Sequence, residues 1–157
     1  MTGFALNGRP VEVVGEHPHL LSALREELGV TSVKDGCAPQ GQCGCCTVLL
    51  DGKAQVSCLV GLEKVAGRSV VTLEGLTEAE RGRFARAFAA TGALQCGFCT
   101  PGMMLAAKAL LDRNPDPTED EVRWALSGNL CRCTGYQNIV KSVLWAAAKL
   151  RAQAPAD

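Results

Sequence analysis

Two short-spaced cysteine pairs in the second half of the chain constrain its fold more than any other feature. Cys96 and Cys99 have two residues between them, Cys131 and Cys133 have one, and 31 residues separate the two pairs. Four thiols at these spacings can bind a structural zinc ion or a 2Fe–2S cluster, and the pattern by itself favours neither. The single residue between Cys131 and Cys133 argues mildly against zinc, whose cysteine pairs usually enclose about two to four residues.

Each pair is followed by residues that are typical of a helix start. Thr100 precedes Pro101, so we predict Thr100 as an N-cap with proline at the first helical position. Thr134 has Gln137 three residues further on, which predicts a capping box. Helix N-termini carry partial positive charge, and an oxidised 2Fe–2S core with four thiolates carries a net charge of roughly −2. Two such helix ends that face each other would suit an iron–sulfur site.

The first half of the chain holds the other five cysteines, four in a loop and one on a predicted hairpin. The loop, residues 36–46, contains three glycines and a proline, and its glycines allow backbone N–H groups to turn toward a buried anionic cluster. Residues 47–50 and 53–58 are predicted strands joined by the turn Asp51-Gly52. This register places position 57 opposite 46 and position 58 opposite 45, so the hairpin brings Cys58 beside the loop cysteines.

The remaining pattern of the first half predicts a small sheet with one helix. Asn7-Gly8 between the apolar segments 4–6 and 11–14 is a strong hairpin signal. A helix is expected over residues 20–28, ending at Gly29. A further strand is expected over 69–73, so we place the first domain at residues 1–75.

The second domain, residues 76–157, is predicted to be helical. Thr118 with Glu121 three residues later predicts a second capping box. The expected helices cover approximately residues 78–91, 101–113, 118–128 and 135–152. Sheet and helices together make an α+β protein.

Composition limits the functional classes. With 16 basic and 16 acidic residues the formal net charge is zero, which gives no reason to expect nucleic acid or an anionic membrane as a partner. Only 4% of the residues are aromatic, so each half has a small core of the kind that a metal often stabilises. Nine cysteines, an odd number at tight spacings, with no signal peptide or membrane-spanning segment, predict a metalloprotein of a reducing, cytoplasmic compartment.

Several other side chains are assigned to packing or to the surface. His17 and His19 lie at a strand-to-helix junction and are predicted to be surface residues rather than ligands. Trp124, Trp145 and the pair Met103-Met104 are predicted to pack in the core or in an interface rather than to contact a cofactor.

The cysteine motifs and their surroundings resemble those of a known family, the small iron–sulfur subunits of the xanthine oxidase family of molybdenum hydroxylases. That family includes aldehyde, carbon monoxide, isoquinoline and hydroxybenzoyl-CoA enzymes. The resemblance covers nearly the whole chain and rests on Gly36-Cys37, Cys43-Gly44-Cys45-Cys46-Thr47-Val48, Cys58, Gln95-Cys96-Gly97-Phe98-Cys99-Thr100-Pro101-Gly102 and Leu130-Cys131-Arg132-Cys133-Thr134-Gly135-Tyr136.

The resemblance implies two 2Fe–2S clusters, one in an N-terminal plant-ferredoxin-like β-grasp domain and one in a C-terminal four-helix domain. The implied ligands of the first cluster are Cys37, Cys43, Cys46 and Cys58. The implied ligands of the second are Cys96, Cys99, Cys131 and Cys133. Gln95 and Cys133 are implied to lie near the molybdopterin of a partner subunit.

The same resemblance implies an electron-transfer subunit of a molybdenum-containing oxidoreductase, with no catalytic residue of its own. A large subunit that carries molybdopterin would oxidise the substrate. Electrons would pass through the helical-domain cluster and then the ferredoxin-like cluster to FAD on a medium subunit. The three chains would assemble as a dimer of heterotrimers.

The first cysteine loop departs from the expected pattern. Plant-type ferredoxins have about four residues between the first two ligands, whereas Cys37 and Cys43 have five. The loop must therefore bulge by one residue, which we place at Ala38-Pro39-Gln40. Cys45 is interpreted as a spare thiol, and the extra loop residue leaves it as an alternative ligand.

Two other functions compete with the electron-transfer subunit. A free-standing two-cluster electron carrier is disfavoured because soluble carriers are commonly acidic, whereas this chain is neutral. A zinc-stabilised interaction module is the third hypothesis. A visible spectrum distinguishes zinc from iron, and co-purification of larger subunits distinguishes the first two hypotheses.

Overall fold

The computed structural model describes residues 1–153, with a five-stranded sheet followed by helices. The strands are β1 (Thr2–Leu6), β2 (Arg9–Val13), β3 (Thr47–Leu50), β4 (Lys53–Val56) and β5 (Ser69–Val71). The helices are α1 (Leu20–Ser22), α2 (Glu78–Ala90), α3 (Thr100–Arg113), α4 (Glu119–Leu126) and α5 (Gln137–Gln153). The α+β class is confirmed, and none of these helices is long and apolar enough to cross a membrane.

The sheet consists of two hairpins that β5 connects. β1 pairs with β2 across Asn7-Gly8, whose φ angles of 51° and 79° are those that the predicted two-residue turn requires. β5 lies between β1, to which it is parallel, and β3, to which it is antiparallel. The resulting strand order is β2-β1-β5-β3-β4, with β2 and β4 at the edges.

Two strands end earlier than predicted because short 3-10 turns follow them. β4 ends at Val56 and β5 at Val71, and the turns Ser57–Leu59 and Leu73–Gly75 follow. The predicted register nevertheless holds, since the N–H of Ser57 donates to the carbonyl of Cys46 at 3.2 Å.

Each half of the chain has its own buried core. In the first half, α1 and the wider helical turn Ala23–Glu27 place Leu20 and Leu24 against Val48 and Val70 of the sheet. The helical segment ends at Glu27 with Leu28 as its C-cap, one residue earlier than predicted, and Gly29 follows with a left-handed φ of 67°. In the second half, α2 to α5 enclose a core that includes Phe84, Phe88, Met103, Ile139 and Val143.

The predicted capping box at the start of α4 is confirmed. The N–H of Glu121 donates to Thr118 Oγ1 at 3.2 Å, and the N–H of Thr118 donates to the Glu121 carboxylate at 2.7 Å. Thr77 and Glu80 form an equivalent box at the start of α2, which we did not predict.

The predicted start of α3 is wrong by one residue. Cys99 is the N-cap, so Thr100 is the first helical residue and Pro101 the second. No side chain caps this helix; the N–H of Thr100 donates to the carbonyl of Gly97, and Pro101 has no N–H.

The predicted start of α5 is also wrong. The helix begins at Gln137 rather than at residue 135, because Gly135 and Tyr136 have left-handed φ angles of 68° and 72°. The capping box of Thr134 with Gln137 is absent. Gln137 instead accepts a hydrogen bond from Arg123 at 2.8 Å.

The aromatic and histidine predictions hold in part. Met103-Met104 is buried, as predicted, and Trp145 packs at the margin of the helical core. Trp124 is 77% exposed, so it does not belong to the core. His17 contacts the Glu27 carboxylate at 2.9 Å, and His19 caps α1 through a hydrogen bond from the N–H of Ser22.

Candidate metal centres

The first thiol group consists of three cysteines of the 36–46 loop together with Cys58. The side chains of Cys37 and Cys43 contact each other, and those of Cys46 and Cys58 do so as well. Cys37 is partly exposed, whereas Cys43, Cys46 and Cys58 are buried. The sheet half therefore brings the four predicted ligands together as two pairs of thiols.

Backbone amides of the loop point at the sulfur of Cys37. The N–H of Gln40 donates to Cys37 Sγ at 3.2 Å, and Gln42 provides a second backbone bond. These bonds lower the pKa of Cys37 to about 7, because they stabilise the thiolate. Ala38 has a left-handed φ of 56°, which is uncommon for a residue other than glycine. The bulge at Ala38-Pro39-Gln40 stays a prediction.

The β3–β4 hairpin positions Cys58. Both the N–H and Oγ of Ser57 donate to the carbonyl of Cys46, at 3.2 and 2.8 Å. These bonds hold the turn that carries Cys58 next to Cys46. Burial raises the pKa of Cys58 to about 12, so binding of a metal has to displace its proton.

Cys45 lies beside the first thiol group and is only 5% exposed. Its side chain contacts Cys43, and Cys99 of the helical half is close enough to interact with it electrostatically. Burial raises the pKa of Cys45 to about 12. The ninth thiol therefore lies between the two halves of the chain, and its interpretation as a spare thiol stays a prediction.

The second thiol group lies where α3 and α5 begin. Cys96 Sγ is 3.5 Å from Cys133 Sγ, and the side chains of Cys99 and Cys131 contact each other. Cys96 and Cys133 are exposed, whereas Cys99 and Cys131 are partly buried. This group also consists of two pairs, with one pair facing solvent.

A tyrosine clamps the loop that carries Cys131. Tyr136 Oη accepts a hydrogen bond from the N–H of Cys131 at 2.9 Å and donates to the carbonyl of Asn129 at 3.0 Å. Thr134 Oγ1 lies 3.3 Å from Cys131 Sγ. Burial is the largest influence on Cys131 and raises its pKa, but the hydrogen bonds from Thr134, from the backbone of Cys133 and from Cys99 together outweigh burial and lower the pKa of this thiol. Thr134 thus forms a hydrogen bond with the sulfur of Cys131 instead of the predicted capping box.

Gln95 and Cys133, the two predicted pterin neighbours, are brought together. Gln95 Nε2 donates to the carbonyl of Cys133 at 3.0 Å, and both residues are exposed. The structure thus places them on one surface, at the exposed pair of the second thiol group.

Two glycines and one asparagine fix the thiol groups relative to each other. Asn129 Nδ2 donates to the carbonyl of Gly44 at 2.9 Å, and the N–H of Leu130 donates to the carbonyl of Cys43 at 2.8 Å. A Cβ on Gly102 would lie only 2.5 Å from the Gly44 carbonyl oxygen. Both cysteine loops therefore meet at one tightly packed contact around Gly44, Gly102 and Asn129, which we call the seam.

A hollow of about 540 Å³ adjoins both thiol groups. Its walls include Cys43 and Cys45 from the first half and Cys99, Cys131 and Cys133 from the second. A Cβ on Gly36 would lie 3.0 Å from Cys43 Sγ, so a side chain at that position would press on the thiol.

The donor sets fit 2Fe–2S clusters better than zinc. A 2Fe–2S cluster has two irons, each with two protein thiolates, and both groups consist of two thiol pairs. Structural zinc needs four donors around a single ion. Within residues 1–153, no three His, Cys, Asp or Glu side chains are grouped so that they could hold one ion.

Sequence reasoning missed the residues that support the thiols. No local sequence pattern points to a role for Asn129, because its partners Gly44 and Thr47 are more than 80 positions away in the chain. Tyr136 was noted only as part of a motif, and its Oη role depends on the left-handed turn that precedes α5.

Comparison with known proteins agrees with this assignment. Residues 4–73 match the model of a family described as a 2Fe-2S iron-sulfur cluster binding domain. Residues 72–144 match a second model, described as a 2Fe-2S binding domain. The two matches meet at residues 72–73.

The chain is also similar to named subunits of characterised enzymes. It is 48% identical to the nicotinate dehydrogenase small FeS subunit of Eubacterium barkeri, over 90% of this chain and 90% of the relative. It is 47% identical to the xanthine dehydrogenase iron-sulfur-binding subunit of Escherichia coli O157:H7, over 88% and 89%. A chain of quinoline 2-oxidoreductase from Pseudomonas putida 86 superimposes with a TM-score of 0.85 at 43% identity, covering 97% of this chain and 96% of that one.

Proposed function

This chain belongs to the small iron–sulfur subunits of the xanthine oxidase family of molybdenum hydroxylases, and we propose that it relays electrons from the molybdopterin centre of a large subunit to FAD on a medium subunit. The observation that carries the proposal is the pair of four-thiol groups held on either side of one seam. Bound 2Fe–2S clusters would supply one-electron acceptors at these two positions. The chain itself provides no catalytic acid, base or nucleophile in this proposal.

The proposed ligands of each cluster follow the two thiol groups. Cys37, Cys43, Cys46 and Cys58 hold the first cluster, within a domain that covers residues 1–75. Cys96, Cys99, Cys131 and Cys133 hold the second, within a domain that covers residues 76–157. In the first group the backbone supplies an N–H donor to sulfur, as at Gln40. The second group adjoins the start of α3, where the helix carries partial positive charge.

The second thiol group is proposed to face the molybdopterin subunit. Its outer pair, Cys96 and Cys133, is exposed, and Gln95 binds the carbonyl of Cys133 on the same surface. Phe98 and Leu130 beside this pair are 45% and 53% exposed, which suits burial against another protein. Gln95 and Cys133 would then lie next to the pterin.

The proposed assembly contains one such chain, one large subunit and one medium subunit, paired as a dimer of heterotrimers in the cytoplasm. A formal net charge of zero suits a permanent subunit contact better than repeated encounters steered by charge.

Metal analysis tests the proposal directly. We expect about four irons and four acid-labile sulfides per chain, with a brown visible spectrum. Cys58→Ala should remove about two irons from the first group, and Cys99→Ala about two from the second. Stoichiometric zinc without visible absorption would refute the cluster assignment. Failure of the iron-containing chain to co-purify with larger subunits would refute the relay.

A further inference from the structure

The strand β4 offers an unpaired backbone edge. β4 lies at one end of the sheet and pairs only with β3. Because the two-residue turn Asp51-Gly52 makes Leu50 and Lys53 a hydrogen-bonded pair, the N–H and C=O groups of Ala54 and Val56 point away from β3. The C=O of Val56 accepts the first hydrogen bond of the 3-10 turn Ser57–Leu59, because Val56 is the N-cap of that turn. Within residues 1–153, the N–H and C=O of Ala54 and the N–H of Val56 have no hydrogen-bond partner.

The opposite edge strand, β2, is less able than β4 to pair with an additional strand. β2 carries Pro10 opposite Ala5, at the position whose N–H would point outward. Proline removes that donor and thereby protects the edge from additional strands. β4 has no proline, and Ala54 is exposed at the corresponding position.

A cleft lined by basic side chains adjoins one face of β4. This basic cleft, about 330 Å³, is lined by Lys53, Lys64 and Arg68 together with Leu59 and Val60. No acidic side chain lines it. Arg68 pairs with Asp51 at 2.7 Å, but neither Lys53 nor Lys64 forms an ion pair with any residue in 1–153.

A second groove adjoins the opposite face of β4. This small-residue groove, about 580 Å³, has walls formed by Ala54, Ala106, Ala109 and Trp124, with Asp51, Asp112 and Arg113 also lining it. Lys53 and Gln55 line both this groove and the basic cleft. Trp124 is 77% exposed here, although an indole usually gains stability when it is covered. The unpaired edge of β4 thus lies between a cationic space and a largely apolar one.

We propose that β4 accepts an extended segment of a partner subunit as a sixth strand, and that this segment alternates acidic and apolar side chains. Side chains of a strand alternate between faces, so acidic residues would enter the basic cleft while apolar residues covered Trp124 and the alanines. Lys53 repels a cationic strand and attracts an acidic one. A lysine on an edge strand also disfavours pairing with an apolar strand, so the edge is selective.

A second copy of this chain does not fit the edge. Two β4 strands in contact would bring Lys53 and the basic cleft of one copy close to those of the other, with no acidic residue on either strand. The inference rests on the proposed function, because the occupant is a subunit of the assembled complex.

Hydrogen exchange on the wild-type chain, alone and in its purified complex, provides the first test. The amides of Ala54 and Val56 should exchange freely in the isolated chain and at least about tenfold more slowly in the complex. The amide of Gln55, which bonds within the hairpin, serves as the internal reference. If the complex forms but the amides of Ala54 and Val56 remain unprotected, strand addition is wrong while the electron relay stands.

Two variants give an independent test. Ala54→Pro removes one outward N–H without breaking the hairpin ladder, as Pro10 does in β2, and should weaken association with the partner subunits about five- to tenfold. Lys64→Glu should weaken it as well, whereas Lys141→Glu makes the same charge change on an exposed helix position outside the cleft and should not. Iron content checks that each variant is folded. Equal affinities for the Lys64 and Lys141 variants would overturn the acidic part of the proposal, and normal affinity of a folded Ala54→Pro would overturn the strand.

Discussion

Cys45 is the one thiol that does not belong to either set of four. It is buried against Cys43 and close to Cys99. Its prediction as a spare thiol competes with a role as a substitute ligand. We expect Cys45→Ala to keep about four irons and near-normal electron transfer, because the two thiol pairs of the first group are complete without it. Iron analysis with Cys43→Ala as the matched variant decides the point. Loss of two irons from Cys45→Ala would identify Cys45 as a ligand.

Gly44 is the residue at which the two halves of the chain are most tightly joined. Its φ is +68°, and a Cβ there would lie 2.2 Å from the carbonyl oxygen of Gly128. Gly52 has a similar φ of +77° but no atom within 4 Å of a built Cβ. Gly52→Ala should therefore lower the free energy of unfolding by about 1 kcal/mol from backbone strain alone.

Gly44→Ala adds a backbone clash to that strain, so it should lower the free energy of unfolding by at least about 2 kcal/mol more than Gly52→Ala does. Thermal unfolding of the iron-containing proteins compares the two variants. Equal losses of unfolding free energy for Gly44→Ala and Gly52→Ala would show that the packing around Gly44 adjusts to the extra methyl group without an energetic cost.

At the scale of the elements, the capping box of α4 tests how much an isolated helix start contributes. α4 has only 8 residues, and Thr118 and Glu121 each satisfy a backbone N–H of the other. Thr118→Ala should destabilise the protein by about 1 kcal/mol, whereas Thr118→Ser keeps an Oγ and should cost far less. Denaturant unfolding measures the difference. Similar losses for the two variants would mean that the methyl group, rather than the hydrogen bond, stabilises this turn.

The helix starts beside the second thiol group contribute unequally. α3 begins at Thr100, directly after Cys99, so the partial positive charge of its N-terminus lies next to that cysteine. α5 begins at Gln137, and the left-handed Tyr136 separates it from Cys133. The favourable field of helix ends at this site therefore comes mainly from α3.

At the scale of the whole molecule, the arrangement predicts the order of electron transfer. The second thiol group has an exposed pair beside Gln95, whereas most of the first group is buried behind the seam. Cys58→Ala should therefore block transfer to FAD but leave the second cluster reducible by substrate in a single turnover. Cys99→Ala should prevent reduction of both the first cluster and FAD.

Rapid-freeze electron paramagnetic resonance of the two variants in the assembled complex measures these outcomes. Reduction of the first cluster by substrate at the normal rate in Cys99→Ala would show that the proposed order is wrong.

The sequence by itself determined the parts of the protein that depend on local chemistry. Hairpins at Asn7-Gly8 and Asp51-Gly52, the capping box at Thr118 and the approach of Cys58 to the loop were predicted because turn residues and strand alternation act over a few positions. The assignment of eight thiols to two ligand sets came from the resemblance to a known family, and the structure brings the members of each set together in pairs.

Only the tertiary structure decided how these parts are joined. The start of α5 differs from the local signal because Thr134 binds a sulfur and Tyr136 takes a left-handed turn to reach Cys131 and Asn129. Asn129 reaches Gly44 across 85 positions, a contact that no short-range pattern encodes. The placement of one thiol group relative to the other follows from this long-range packing. The hydrogen bonds and close contacts between the two halves join residues that are far apart in the chain, so no local pattern specifies them.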